Sequence, residues 1–199
     1  MNLKSVLTLG DSLTNFGYQP NGWVTLFKSK CSNMNFINKG INGFTSSDFT
    51  RNLPSILSGT NISKISSITI WLGTNDVLKI YDNPISGNQF KSNINAIISY
   101  LQYFNIYIPI YLISIPINDF SLNEWIPYEE SIIKKFNIEL KQLAKEKKIN
   151  YIDLNEKTNK IYLTSEDLVD GVHFNDDGNL KIYNILKEFI LKTDLYQPN

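Results

Sequence analysis

Five short apolar runs, separated by stretches whose apolar residues recur at helical spacing, constrain this 199-residue chain more than any other feature. The runs at 5–9, 35–38, 67–72, 107–115 and 150–154 have the length and side chains of buried strands. Between them, Trp23, Leu26, Phe27 and Cys31 form one helical face. Phe90, Ile94, Ile97, Ile98 and Leu101 form a second, and Ile132, Ile133, Phe136, Leu140 and Leu143 a third. Ile182, Tyr183, Leu186, Phe189 and Ile190 close the series. A further helix is expected after Ser46 or Ser47 as its cap, bent or broken near Pro54. Strand and helix in alternation require right-handed crossovers and a parallel sheet covered on both faces. The expectation is one α/β domain over residues 1–199, a three-layer α/β/α sandwich with a five-stranded parallel sheet, flavodoxin-like in outline. Ligands of such sheets bind beyond the carboxyl ends of the strands.

Charge narrows the partners. Nineteen Lys and Arg balance nineteen Asp and Glu, so no overall field draws the chain to nucleic acid or an anionic surface. Arg51 is the sole arginine, which argues against an arginine clamp on phosphate. One cysteine, Cys31, and one histidine, His173, allow neither an internal disulfide nor the usual zinc spacings, so no metal and no cofactor is called for. Cys31 is expected to pack on an apolar face. The first residues are too briefly apolar for a signal-peptide core, and no run reaches transmembrane length. The expectation is a cytoplasmic protein with no integral membrane segment. Self-association is left open.

The first strand runs into Gly10-Asp11-Ser12-Leu13, which sets a serine just past a strand end. A serine hydroxyl is a weak nucleophile until a base takes its proton and a third group orients that base. His173 is the only imidazole available, and Asp170 precedes it by three residues. In a helical or turn-like backbone that spacing puts the two side chains on one side, roughly 5–6 Å apart at Cβ. The aspartate would fix the imidazole tautomer and stabilise the imidazolium. Gly43 and Asn75 stand after the second and third strands, on the same sheet edge as Ser12 by topology. Asp11 and Asp76 are expected to brace these loops by accepting backbone hydrogen bonds, and Asp153 to be structural.

Gly10-Asp11-Ser12-Leu13, Gly40-Ile41-Asn42-Gly43, Gly73-Thr74-Asn75-Asp76 and Asp170-Gly171-Val172-His173 together resemble the four blocks of the SGNH, or GDSL, hydrolase family. The resemblance implies the SGNH hydrolase fold, a Ser12 nucleophile, a His173 base and an Asp170 orienting acid. It also implies an oxyanion hole made of the Ser12 and Gly43 backbone N–H groups and the Asn75 amide. Phe16 through Asn21-Gly22-Trp23, with Asn83-Pro84 to Phe90, looks most like the isoamyl acetate-hydrolysing esterase subgroup. That subgroup carries Gly-Gly-Trp where this chain has Asn21-Gly22-Trp23. The implied activity is that of a serine esterase on small-molecule esters with short acyl groups. Lysophospholipase, acyl-thioesterase and carbohydrate O-deacetylase activities are alternatives on the same site.

Phe16, Tyr18, Phe44 and the connection at 116–128, with Phe120 and Trp125, are candidate walls of a substrate pocket. A reading from another class also exists. Ser12, Thr14 and Asn15 after the first strand could cradle a phosphate, as in a flavodoxin-like flavin or nucleotide binder, but this leaves Asp170 and His173 without a role.

Overall fold

The computed structural model describes residues 3–116, 130–156 and 161–191. Five strands, β1 (Lys4–Gly10), β2 (Met34–Gly40), β3 (Ser67–Trp71), β4 (Ile110–Ile113) and β5 (Asn150–Ile152), form one sheet in the order β2-β1-β3-β4-β5. Every neighbouring pair is parallel. The expected runs are therefore all present, with β4 and β5 shorter than their apolar stretches. In β4 the excess is spent on Ile108, buried beneath the strand's start, and on Ile115, buried beyond its end.

The helices are α1 (Ser12–Phe16), α2 (Trp23–Lys30), α3 (Ser46–Ile56), α4 (Thr74–Leu78), α5 (Gly87–Phe104), α6 (Glu130–Lys147) and α7 (Asp176–Ile190). Strand residues alternate between two buried layers, as a period of two demands. Leu7, Leu9, Ile68, Ile70, Ile110 and Leu112 meet α3, α5 and α6 on one face. Val6, Trp71, Tyr111, Ile113 and Ile152 meet α1, α2 and α7 on the other. The three-layer α/β/α sandwich is thus the observed architecture, and Cys31 packs at the margin of the second layer.

One local expectation is corrected. Thr45, not Ser46 or Ser47, caps α3 through a reciprocal pair with Asp48, because Ser46 is buried and spends its hydroxyl on Asp76. The helix ends at Ile56, two residues past Pro54 and close to the break expected there. A proline within two residues of a helix end removes a single backbone donor, so the chain stops beyond it rather than at it.

Parallel register brings the carboxyl ends of β2, β1 and β3 side by side, Gly10 facing both Gly40 and Trp71. The segments that follow these three strands carry Gly43, Ser12 at the start of α1 and Asn75 in α4.

Candidate active site

Ser12 begins α1 immediately after β1 ends. Gly10 makes the join possible: a Cβ there would lie 2.0 Å from Thr14 Oγ1 and 2.5 Å from the Trp71 carbonyl oxygen. Asp11 caps the short helix by accepting the Leu13 N–H at 3.0 Å. The Ser12 side chain is left almost buried, 7% exposed, at the sheet edge.

On the other side of the site, residues 168–174 form a tight hairpin, with Leu168 bridged to Phe174 and the Val169 N–H donating to the His173 carbonyl at 2.8 Å. Gly171 turns the chain with φ of +82°, a left-handed conformation that disfavours a side chain. The expected three-residue juxtaposition arises from this turn rather than from a helix. Asp170 Oδ1 accepts the Val172 and His173 N–H groups at 3.0 and 2.8 Å, while its Oδ2 lies 2.7 Å from His173 Nδ1. Nε2 of the same ring lies 2.9 Å from Ser12 Oγ.

The carboxylate assigns the protons. Burial pushes the Asp170 carboxyl up, but hydrogen bonds from the His173 backbone, the His173 ring and the Val172 N–H, with the imidazole's charge, outweigh it and hold the group below its ordinary range. An ionised carboxylate only accepts, so Nδ1 carries a hydrogen, and in the neutral ring Nε2 then offers its lone pair to the Ser12 hydroxyl. The arrangement is able to move a proton from Ser12 to His173 while Asp170 stays charged. Phe16 backs the imidazole with its ring centroid 4.8 Å away.

The loop after β2 is held against the loop after β3. Asn75, 7% exposed, donates from Nδ2 to the Phe44 carbonyl at 3.1 Å, which fixes the plane of its amide and leaves that nitrogen a second hydrogen to give. Gly43 adopts φ of +76° with open space where a Cβ would stand, so the backbone conformation and not crowding calls for glycine. Its carbonyl accepts from Lys79 Nζ at 2.7 Å. Asp76, buried and pushed up by burial against the pull of the Ser46 hydroxyl and N–H, receives both of those donors at 2.6 and 2.8 Å. Asn93 from α5 donates to Ser46 Oγ and Ser47 Oγ, and Asn15 from α1 donates to Asn42. Asp11 and Asp76 therefore brace the loops as expected.

Asn93 and Ser46 are supports the sequence reading missed. The signal was available: Asn93 interrupts the apolar face of α5 between Phe90 and Ile94 and is itself buried. A buried polar residue needs a partner.

The aromatic candidates divide. Phe16 lines a cleft of about 680 Å³ beside Asp170 and His173, shared with Pro20, Val169 and Phe174. Phe44 packs partly against the core. Tyr18 is corrected: its hydroxyl is 2.7 Å from Thr8 Oγ1 and its ring joins the core beneath α1. Trp125 and Phe120 lie outside the described residues. A phosphate cradle is disfavoured, since Thr14 is fully buried and the Asn15 amide is engaged by Asn42 and Asn38. Among the described residues, no group of three or more His, Cys, Asp or Glu could hold a metal ion, and no helix is long and apolar enough to cross a membrane.

Residues 8–181 match the pattern that defines the GDSL-like Lipase/Acylhydrolase family. The isoamyl acetate-hydrolyzing esterase 1 homolog of Rattus norvegicus is 28% identical over 106 residues, a stretch covering 51% of this chain and 43% of the rat protein. The chain thus spans less than half of that relative's length. Among solved structures, an acetyl xylan esterase superposes with a TM-score of 0.74 at 24% identity, covering 94% of this chain and 99% of that one. A lipase/acylhydrolase from Enterococcus faecalis gives 0.76 at 22% identity, covering 96% of each chain.

Proposed function

The chain belongs to the GDSL-like lipase/acylhydrolase family, and from that premise we propose that it hydrolyses carboxylic esters by covalent catalysis. Ser12 attacks the ester carbonyl while His173 Nε2 takes its proton. The imidazolium then protonates the leaving alcohol, and the same base activates the water that releases the acid from the acyl-serine. Asp170 holds the ring in the Nδ1–H tautomer and stays ionised. The Ser12 and Gly43 N–H groups and the Asn75 amide receive the oxyanion. The observation that carries the reading is the relay of 2.9 and 2.7 Å contacts from Ser12 Oγ through His173 to Asp170.

Short acyl groups, acetyl above all, are the proposed substrates. The substrates after which two similar proteins are named, isoamyl acetate and acetyl xylan, support that choice. A cytoplasmic setting belongs to the same proposal. Rates across p-nitrophenyl esters of increasing acyl length, followed by acetylated sugars, test it. The expected series falls from acetate onward, whereas a maximum at long chains would favour lysophospholipase or acyl-thioesterase activity.

Asn75→Ala is expected to lower kcat by about 10²–10³-fold, the cost of removing one oxyanion donor. KM should change little, because the donor aims at charge that develops only during the reaction. A change confined to KM would assign Asn75 to ground-state binding instead.

A further inference from the structure

Asp11 is the least explained group near the relay. It sits between Gly10 and Ser12, and none of it is exposed. Oδ1 caps α1 through the Leu13 N–H, but no described residue pairs with Oδ2. Thr14 in α1 and Thr74 at the start of α4 also bury hydroxyls that no described residue pairs with. A neutral asparagine or serine caps a helix as well as an aspartate does. A buried, half-satisfied carboxyl is a costly way to obtain the same cap. Its distinctive property is the ability to carry charge.

We propose that Asp11 is a positioning residue for the Ser12–His173 pair: its cap sets Ser12 against the imidazole, and its carboxylate, one residue behind Ser12, stabilises the imidazolium. The catalytic meaning of this assignment rests on the esterase reading, but the effect on the ring does not. Ser12 Oγ is in hydrogen-bond contact with Nε2, so the buried carboxylate belongs to the residue adjoining the one that touches the ring, and its charge acts across that single residue.

The ionisable groups around Asp11 decide when that charge is present. Asp76 on α4 opposes ionisation, and Asp48 on α3 does the same to Asp76. Asp170 and His173 stand across Ser12. Lys39, paired in register with Leu9, is the last residue but one of the neighbouring strand. Burial raises the Asp11 carboxyl to about 7, with the Leu13 N–H pulling down and the Asp76 charge pushing up. Asp11 therefore gains its charge within the pH interval in which an imidazole ordinarily loses its proton.

Because His173 is the only histidine, its ring resonances in an NMR titration are unambiguous. The wild-type ring is expected to show two inflections, its own and one reporting Asp11. Asp11→Asn keeps the capping oxygen and removes the charge. It should leave a single inflection displaced to lower pH by about one unit, with kcat down by about tenfold and KM unchanged. Asp11→Ser, a second neutral cap, should behave alike. Identical ring titrations in wild type and both variants would overturn the assignment, as would a fall in kcat without a change in the titration, which is the mark of a purely structural cap. Full turnover in Ser12→Ala would remove the esterase reading, yet the ring titration would still decide whether Asp11 acts on His173.

Discussion

Ser12→Ala is expected to lose turnover of p-nitrophenyl acetate by on the order of 10⁴–10⁶-fold, with KM within a few-fold of wild type. The substitution deletes the atom that would form the acyl bond and leaves every other group of the site in place. Oxyanion donors and substrate contacts then account for what activity remains. The effect on folding should be small. Ser12 Oγ contacts His173 Nε2, and the ring is 28% exposed, so water replaces the lost partner. A melting temperature close to that of wild type, measured alongside the rate, separates loss of chemistry from loss of fold. His173→Ala should bring a comparable loss, since no second imidazole exists to take over. Wild-type rates in either variant would assign the hydrolysis to another residue.

Asp170→Asn is expected to cost about 10⁴-fold in kcat while the fold is retained. The hydrogen bonds of the hairpin supply the reason. Asp170 Oδ1 accepts two backbone N–H groups, and Oδ2 accepts from Nδ1. An asparagine has one oxygen, and the turn requires it for Val172 and His173. The amide nitrogen then faces Nδ1 and donates, so Nδ1 must accept and the ring hydrogen moves to Nε2. That tautomer offers Ser12 a proton in place of a lone pair. Unchanged kcat would show that another group orients the ring.

The layered fold was legible because its signals are local. Strand-length apolar runs and 3.6-residue stripes mark which face of each element is buried, and alternation then limits the topology. The relay was legible for a different reason: only one histidine is present, and the aspartate that orients it lies three residues away. Neither inference needed contacts between distant segments. Where such contacts decide the outcome, the sequence reading missed them. Ser46 or Ser47 is the cap expected from sequence, yet Ser46 serves Asp76, thirty residues away, and Thr45 takes the cap. Tyr18 was read as a pocket wall, yet Thr8 on β1 draws its hydroxyl inward. Residue type alone does not determine which of several hydroxyls pairs across the fold.

The support of the site follows the same division. Gly43 and Asn75 stand out by their positions after strands, but the bonds holding them, from Lys79 to Gly43 and from Asn75 to Phe44, join residues 36 and 31 apart in sequence. Asp11 was expected to brace a turn, and it does. Its complete burial follows from the sheet edge closing over it, with its N–H donated to Trp71 on β3. Trp125, a candidate pocket wall from sequence, lies outside the described residues.

The central claim is that Ser12 is a nucleophile activated by His173, and covalent labelling tests it most directly. Wild-type protein exposed to a fluorophosphonate should gain one adduct, located on the peptide containing Ser12, at a rate that His173→Ala slows sharply. Ser12→Ala should gain none. Equal labelling of Ser12→Ala, or an adduct at a different serine, would contradict the account.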